Sequence, residues 1–595
     1  MKTIITEKLS IFFDSFFYCF RISWQASPKY FLVRSLGKFI IPLNGVILSF
    51  LSKGVIDWLQ KSYNASSMRP EVLAFLFAIV CIRVVSNTAH GVIDYATQMH
   101  SIRLNELVAK KIIHIGCSEK YSVFDDTVEY SKMISVVSDV TALTRVFWNA
   151  IDCISPFVVY IIIFTSLCRL DVSVSLLMTM VSIPAAFIHY KYTVKLYKLD
   201  KESIKNERQK DYYTRVATSK EFGQDVRFFG LEKTLIDKYD IAQREELSRR
   251  KGIIGKETIK ISLVAVIPEV AMFAISLYLV KGISYHQFSL GDYTLYTGLL
   301  YQMWSNIVGI LTNSSKVIEN QLKISNYKRY ISAKGTIEED KQQKLQNIES
   351  IEFKNVSFRY QRCNINAIDN LSFRINKGEK VAIVGVNGAG KTTIIKLLLG
   401  LYQPESGEIL VNDRSISEYD IDSLHKAMSI CFQNMTLYAF SLLENIALGV
   451  DAPDEKKAVN IINDVQAANI LTKAKNNLKQ HVTRLFESDG LEVSGGEAQR
   501  LVLGRAFYRE ADLLLFDEPS SALDPEAEKQ IFEIMKEKSE GRTLLFTSHR
   551  LTNISLAERI LVIEDGHLVE QGDFSSLMKS NGRFFELYNC YLGRA

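Results

Sequence analysis

The chain has 595 residues, 47% of them apolar, with a formal charge of +5 and a mean hydropathy of +0.05. That length exceeds what one core fills, so two or more domains are expected, and so small a charge argues against a nucleic-acid partner. Eight scattered cysteines without a Cys-x-x-Cys pair argue against zinc ligation and against a disulfide scaffold.

The averages hide an asymmetry, because the long apolar stretches lie in the first half. Ile11 to Trp24 is apolar and aromatic but carries Asp14 and Arg21 and lacks a small-residue cleavage site, which fits an interfacial amphipathic helix rather than a signal peptide. Stretches long enough to cross a bilayer follow near 31–57, 71–93, 147–168, 172–190, 259–281 and 290–312, which predicts six spans. The last is interrupted by Tyr293, Thr294, Tyr296, Thr297, Tyr301, Gln302, Ser305 and Asn306. A helix polar on one side within a membrane faces protein or a watery cavity, and cavity lining is the expectation here.

The segments at about 94–146 and 191–258 are long, polar and helical in pattern, and read as continuations of the membrane helices. The second is dense in Lys and Arg, from Lys191 to Lys251, which puts both arms and the N-terminus in the cytoplasm. Lys38, Lys53, Arg83, His90, Asp152 and Glu269 sit inside or near spans. Lys53 and His90 are close enough to span ends to snorkel, whereas Asp152 and Glu269 are functional candidates without a named role. The expected domains are a membrane domain over 1–335, a polar linker over 336–348 and a second domain over 349–595.

From Ile351 onward strands come first, then strands alternating with helices, the pattern of an α/β domain with a mainly parallel core sheet. The apolar run Val381-Ala382-Ile383-Val384 leads into Gly385-Val386-Asn387-Gly388-Ala389-Gly390-Lys391-Thr392, a G-x-x-x-x-G-K-T loop between a strand and a helix. In that setting the N–H groups around Gly385, Asn387, Gly388 and Gly390 wrap phosphates and Lys391 reaches the terminal ones. The Thr392 hydroxyl takes a position on Mg²⁺, with Thr393 beside it at the helix start. Further on, Leu513-Leu514-Leu515-Phe516 ends in Asp517 and Glu518. Asp517 is the candidate Mg²⁺ ligand and Glu518 the group that orients the attacking water. The chain is expected to bind and hydrolyse ATP with Mg²⁺.

Between these motifs lies Val493-Ser494-Gly495-Gly496-Glu497-Ala498-Gln499-Arg500, which resembles the signature of ATP-binding cassette (ABC) proteins. The rest of that family's set follows in order. Tyr360 matches the aromatic that stacks on adenine, Gln433 the glutamine that contacts Mg²⁺ and the transmembrane arms, Ser521-Ala522-Leu523-Asp524 the loop exchanged between cassettes, and His549 the γ-phosphate histidine. Glu487-Ser488-Asp489-Gly490 resembles an extra loop of ABC exporters. The resemblance covers essentially the whole chain and implies an exporter half-transporter: an all-α membrane domain of six long helices fused to an α/β P-loop ATPase domain. It implies that Ser494, Gly495 and Gly496 complete the ATP site of a second cassette, so the working unit is a dimer in membrane lipid. Val493 and Glu497 depart from the usual Leu and Gln of the signature. Because Glu518, His549, Gly495 and Gly496 are all intact, a homodimer is expected over a pair with a different subunit.

Three cargoes compete. The stretch Asp517 to Glu528, and less specifically Asp225 to Glu232, is similar to exporters of lanthipeptides and related modified peptides, which favours a peptide. A drug-like or hydrophobic small molecule comes second and a flipped lipid third. No room is seen before Phe31 for the cysteine-peptidase domain of some peptide exporters, which implies leader removal elsewhere. Six apolar stretches speak against a soluble ABC protein, and fusion of the two domains speaks against an importer.

Overall fold

The computed structural model describes residues 2–65, 70–169, 171–333, 343–519, 525–548, 554 and 556–591. They form two compact units, 1–119 with 128–335, and 120–127 with 336–595.

The first unit is helical. After α1 (Lys2–Ala26), α2 (Pro28–Ala65) and α3 (Pro70–Cys117), the chain leaves this unit for the short α4 (Ser122–Asp125). It returns with α5 (Thr127–Val140), α6 (Val146–Leu167), α7 (Val172–Thr218), α8 (Gly223–Phe228), α9 (Glu232–Ser284) and α10 (Leu290–Ala333). At 1.5 Å per residue the 53 residues of α9 extend roughly 80 Å, more than twice the ~30 Å of bilayer hydrocarbon. Helices α3 and α7 are nearly as long, so the polar arms continue the apolar helices without a break.

By length and composition four segments among the described residues are long and apolar enough to cross a membrane: Pro28–Ser62, Pro70–Cys117, Thr127–Leu167 and Glu232–Ser284. In α7 the described residues carry the apolar stretch Val172–Val181, and side chains in part of the span expected to 190 lie outside them. Helix α10 falls short because polar residues dilute it, on one side in particular. Leu295, Leu299, Met303 and Ile307 are buried against Val159, Ile163 and Leu279, while Tyr301 and Ser305 on the opposite side are exposed. Rows of exposed Val, Leu, Ile and Phe along α3 and α9, such as Val80, Val84, Leu263, Val266 and Phe273, present the surface a lipid solvent covers.

The second unit holds two sheets. Strand β1 (Ser350–Phe358) pairs antiparallel with β2 (Ile368–Asn376) and, on its other edge, with β4 (Ser406–Val411), which carries β5 (Arg414–Ser415). Strand β3 (Lys380–Val384) belongs to the other sheet, of order β10-β9-β3-β8-β7-β6. Its remaining strands are β6 (Met428–Cys431), β7 (Leu513–Asp517), β8 (Thr543–Ser548), β9 (Arg559–Glu564) and β10 (His567–Gly572). All pair in parallel except β9 with β10. Both faces of this sheet are covered, as parallel strands require. Val381, Ile383, Leu513 and Leu515 pack into one core, and Ala382, Val384, Leu514 and Phe516 into the other, the two-residue period of a strand. Helix α11 (Lys391–Leu398) follows β3 and α12 (Ile421–Lys426) precedes β6. Then come α13 (Leu442–Ile446), α14 (Glu455–Asp464), α15 (Ala468–Lys473) and α16 (Gly495–Tyr508), with α17 (Pro525–Lys538), α18 (Phe574–Ser580) and α19 (Arg583–Tyr591) closing the unit.

Candidate functional site

The phosphate loop sits between the carboxyl end of β3 and the start of α11. A Cβ at Gly385 would lie 2.2 Å from the Ile563 carbonyl oxygen, and one at Gly390 2.6 Å from that of Ala367, so both positions exclude any larger residue. Gly390 (φ 106°) and Gly388 (φ 86°) also need the left-handed region. The loop is therefore held in the curved form in which its N–H groups converge.

Lys391 is buried and folds over this loop, its Nζ 2.9 Å from the Gly385 oxygen and 3.1 Å from that of Val386. Burial lowers its pKa, against the pull of Glu518 (Oε1 at 3.8 Å) and Asp517. The Thr392 hydroxyl donates to Asp517 Oδ1 at 3.1 Å. The same oxygen accepts from Thr547 Oγ1 at 2.8 Å, and Thr547 Oγ1 in turn accepts the Glu518 N–H at 2.9 Å. Burial raises the Asp517 pKa, with the Thr547 and Thr392 hydroxyls opposing. Gln433 Nε2 donates to Glu518 Oε2 at 2.8 Å. Glu518 has φ 48°, an unusual conformation for a residue with a side chain, and strain of that kind concentrates where function fixes the backbone.

The geometry thus brings together Gly385 to Thr392, Asp517, Glu518 and Gln433. The donors around Thr392 are a hydroxyl, a carboxylate and an amide, hard oxygen ligands of the kind Mg²⁺ takes together with phosphate oxygens. Tyr360 donates to or accepts from Thr393 Oγ1 at 3.1 Å and packs edge-on against Phe358 and Tyr402, with centroids at 5.0 and 5.4 Å. Asp524 and His549 lie outside the described residues, as does most of the expected linker.

Ser494 caps α16. Its hydroxyl accepts from the Glu497 N–H, and the Glu497 carboxylate accepts from the Ser494 N–H, a capping box. Ser494 and Gly495 are exposed, so the first turn of α16 offers free donors outward.

The sequence reading missed three groups. Thr547 was hidden in an apolar strand, although a hydroxyl opposite Asp517 in the β7–β8 register is a usable sign. The segment 120–127 was read as part of one arm, yet it belongs to the cassette unit. Tyr121 packs at 5.7 Å on Tyr402, Asp125 accepts from the Tyr402 hydroxyl, and Arg362 pairs with Asp126 at 2.9 Å. Lys396 lies 5.7 to 5.8 Å from the rings of Tyr121, Tyr360 and Tyr402. The third is Lys473, paired with Glu497.

In the helical unit Lys53 has a partner that its place near a span end does not reveal. It is ion-paired with Asp292, which also accepts the Ser289 N–H, while Ser289 donates to Asp57. Asp152 pairs with Lys38 at 2.7 Å, and Glu269 is exposed.

Known proteins resemble this chain in sequence and in fold. Residues 368–521 match the family described as ABC transporter, and residues 497–554 also match an AAA domain family. Residues 368–521 thus carry an ABC transporter domain. Subtilin transport ATP-binding protein SpaT of Bacillus subtilis is 27% identical over 80% of this chain and 78% of its own length. An ATP-dependent lipid A-core flippase of Burkholderia orbicola is 36% identical over 40% of this chain and 39% of its own, and the mitochondrial iron-sulfur clusters transporter ATM1 of Saccharomyces cerevisiae 31% over 60% and 52%. A solved bacterial Atm1-family ABC exporter with ATP bound superimposes with a TM-score of 0.75 at 21% identity, covering 94% of this chain and 98% of that one. The fold is therefore that of ABC exporters, an all-α membrane domain of long helices joined to a P-loop ATPase. An ABC transporter domain of this kind couples ATP hydrolysis to transport, and the described residues of the first unit include helices long and apolar enough to cross a membrane.

Proposed function

We propose that this chain is one half of a homodimeric ABC exporter that exports a modified peptide from the cytoplasm, with the ATPase domain and N-terminus on the cytoplasmic side. The observation that carries the ATP-driven part is the chain Thr392–Asp517–Thr547–Glu518–Gln433, in which two acids, two hydroxyls and an amide surround the end of the phosphate loop. In this reading Lys391 binds the terminal phosphates, and Thr392, Gln433 and Asp517 hold Mg²⁺. Bound there, Mg²⁺ neutralises charge that develops during phosphoryl transfer. Glu518 orients the attacking water, held by Gln433 and by its own N–H to Thr547, with His549 at the γ-phosphate. Tyr360 stacks on adenine. Ser494, Gly495 and Gly496 serve the nucleotide of the opposite chain, and Asp524 belongs to the loop exchanged between the two.

A peptide cargo is supported by the subtilin transporter, whose similarity extends over most of both chains. The flippases share a shorter segment at higher identity, which keeps a lipid or hydrophobic small molecule as the second reading. Reconstituted protein assayed for ATP turnover against modified peptides, drugs and lipids separates them. Stimulation by peptides alone supports the first reading, and stimulation by lipids or drugs alone overturns it.

A further inference from the structure

The signature of this chain carries an acid, Glu497, one turn into the helix whose N-terminus is read above as facing a nucleotide. An acid in the first turn stabilises a helix through its dipole and, here, through the capping box. Toward an approaching phosphate the same charge is repulsive, and it offsets the positive end of α16 that makes the site attractive to anions. The structure shows how that conflict is met. Lys473, the last residue of α15, places its Nζ 2.7 Å from Glu497 Oε1 and 2.8 Å from Oε2, so one ammonium spans both oxygens. Oε2 also takes the Ser494 N–H at 2.8 Å. The Glu497 side chain is largely buried, at 17% exposure, while Lys473 is half exposed. Although burial works against it, these donors hold the Glu497 carboxyl below the ordinary range, so it is ionised and its partner matters.

We propose that Lys473 is a positioning residue for ATP hydrolysis: it neutralises Glu497, so that the signature helix keeps its affinity for the anionic nucleotide of the opposite chain. This rests on the composite-site reading of Ser494. Lys473 touches no nucleotide in this account and acts only through Glu497.

The test is the KM for ATP of the full-length reconstituted protein in wild type, Lys473→Ala, Glu497→Gln and the double variant. Removing Lys473 alone leaves a bare charge near the phosphates and is expected to raise KM about three- to tenfold, with kcat within about twofold. Lys473→Arg keeps KM near wild type. In the Glu497→Gln background the loss of Lys473 changes nothing further, an outcome that a purely structural role for Lys473 does not produce. If Lys473→Ala disturbs folding, Lys473→Gln serves in its place. The proposal is overturned if both neutral variants keep the wild-type KM, or if their defect persists unchanged in the Glu497→Gln background. Ser494→Arg separates the two levels. Wild-type hydrolysis in that variant defeats the composite site itself, whereas its inactivity together with a silent Lys473→Ala defeats only the charge balance.

Discussion

Gln433 and Glu518 are joined by a 2.8 Å hydrogen bond from the amide nitrogen to the carboxylate, across the ends of two adjacent parallel strands. The bond fixes one carboxylate oxygen, and the backbone N–H of Glu518 is fixed by Thr547. Replacing Glu518 by Gln keeps the shape and the backbone bond but removes the negative charge that orients water. Turnover is expected to fall by about 10² or more while nucleotide affinity stays within a few-fold, since the phosphate loop is untouched. Equilibrium binding of a fluorescent ATP analogue beside a turnover assay checks both halves. Near-wild-type turnover removes Glu518 from its role.

Thr547 gives a second prediction. Burial raises the Asp517 pKa and the Thr547 hydroxyl partly offsets that. A carboxyl with a raised folded-state pKa binds its proton more tightly folded than unfolded, so it favours folding in acid and loses that contribution as pH rises through the folded value. Mg²⁺ needs the ionised form. Thr547→Val removes one stabilising bond and shifts ionisation to higher pH. The Mg²⁺ concentration for half-maximal turnover should therefore rise, and the gap from wild type should widen as pH is lowered. A constant gap at every pH contradicts this account.

The phosphate loop and Asp517-Glu518 were legible in the sequence because local motifs on consecutive elements fix them, with an apolar strand before each. The parallel sheet was legible for the same reason. What was not legible lies in contacts between segments distant along the chain. Lys473 meets Glu497 only through the packing of α15 near α16, and Lys38 meets Asp152 through that of α2 on α6. Segment 120–127 has the polarity of its neighbours, and only its aromatic and acidic contacts with Tyr402 and Arg362 assign it to the cassette unit. Lys53 likewise meets Asp292, a carboxylate far along the chain that its place near a span end does not reveal.

The Lys38–Asp152 pair is about two-thirds buried at both ends. Removing one partner leaves a charge in a poorly solvated place, whereas removing both leaves none. Discounted for partial exposure, Lys38→Met or Asp152→Leu alone is expected to cost about 1–3 kcal/mol, and the double variant substantially less than the sum. Thermal unfolding in detergent or nanodiscs measures this. Additive losses would mean that the two side chains do not act as a pair.

Helix α10 separates its polar residues into two kinds, and that separation is testable by thiol labelling. Gln302 donates to the Gly45 carbonyl at 3.2 Å and to Ser49 Oγ at 2.8 Å, and Asn306 donates back to the Gln302 carbonyl, so these two are absorbed by helix packing. The Thr297 hydroxyl bonds the Tyr293 carbonyl one turn back. Tyr301, 60% exposed, and Ser305 lie one turn apart on the opposite face from Leu299 and Met303. A phenol offers apolar area with a polar tip, which suits an amphipathic cargo better than an acyl chain. Cysteines at Tyr301 and Ser305 should react with a water-soluble maleimide, and trapping with ATP should change their rates. A cysteine at Gln302, walled in by α2, should stay unreactive in every state. Labelling of Tyr301→Cys and Ser305→Cys only by lipid-soluble reagents would place this face against hydrocarbon and remove it from any cargo path.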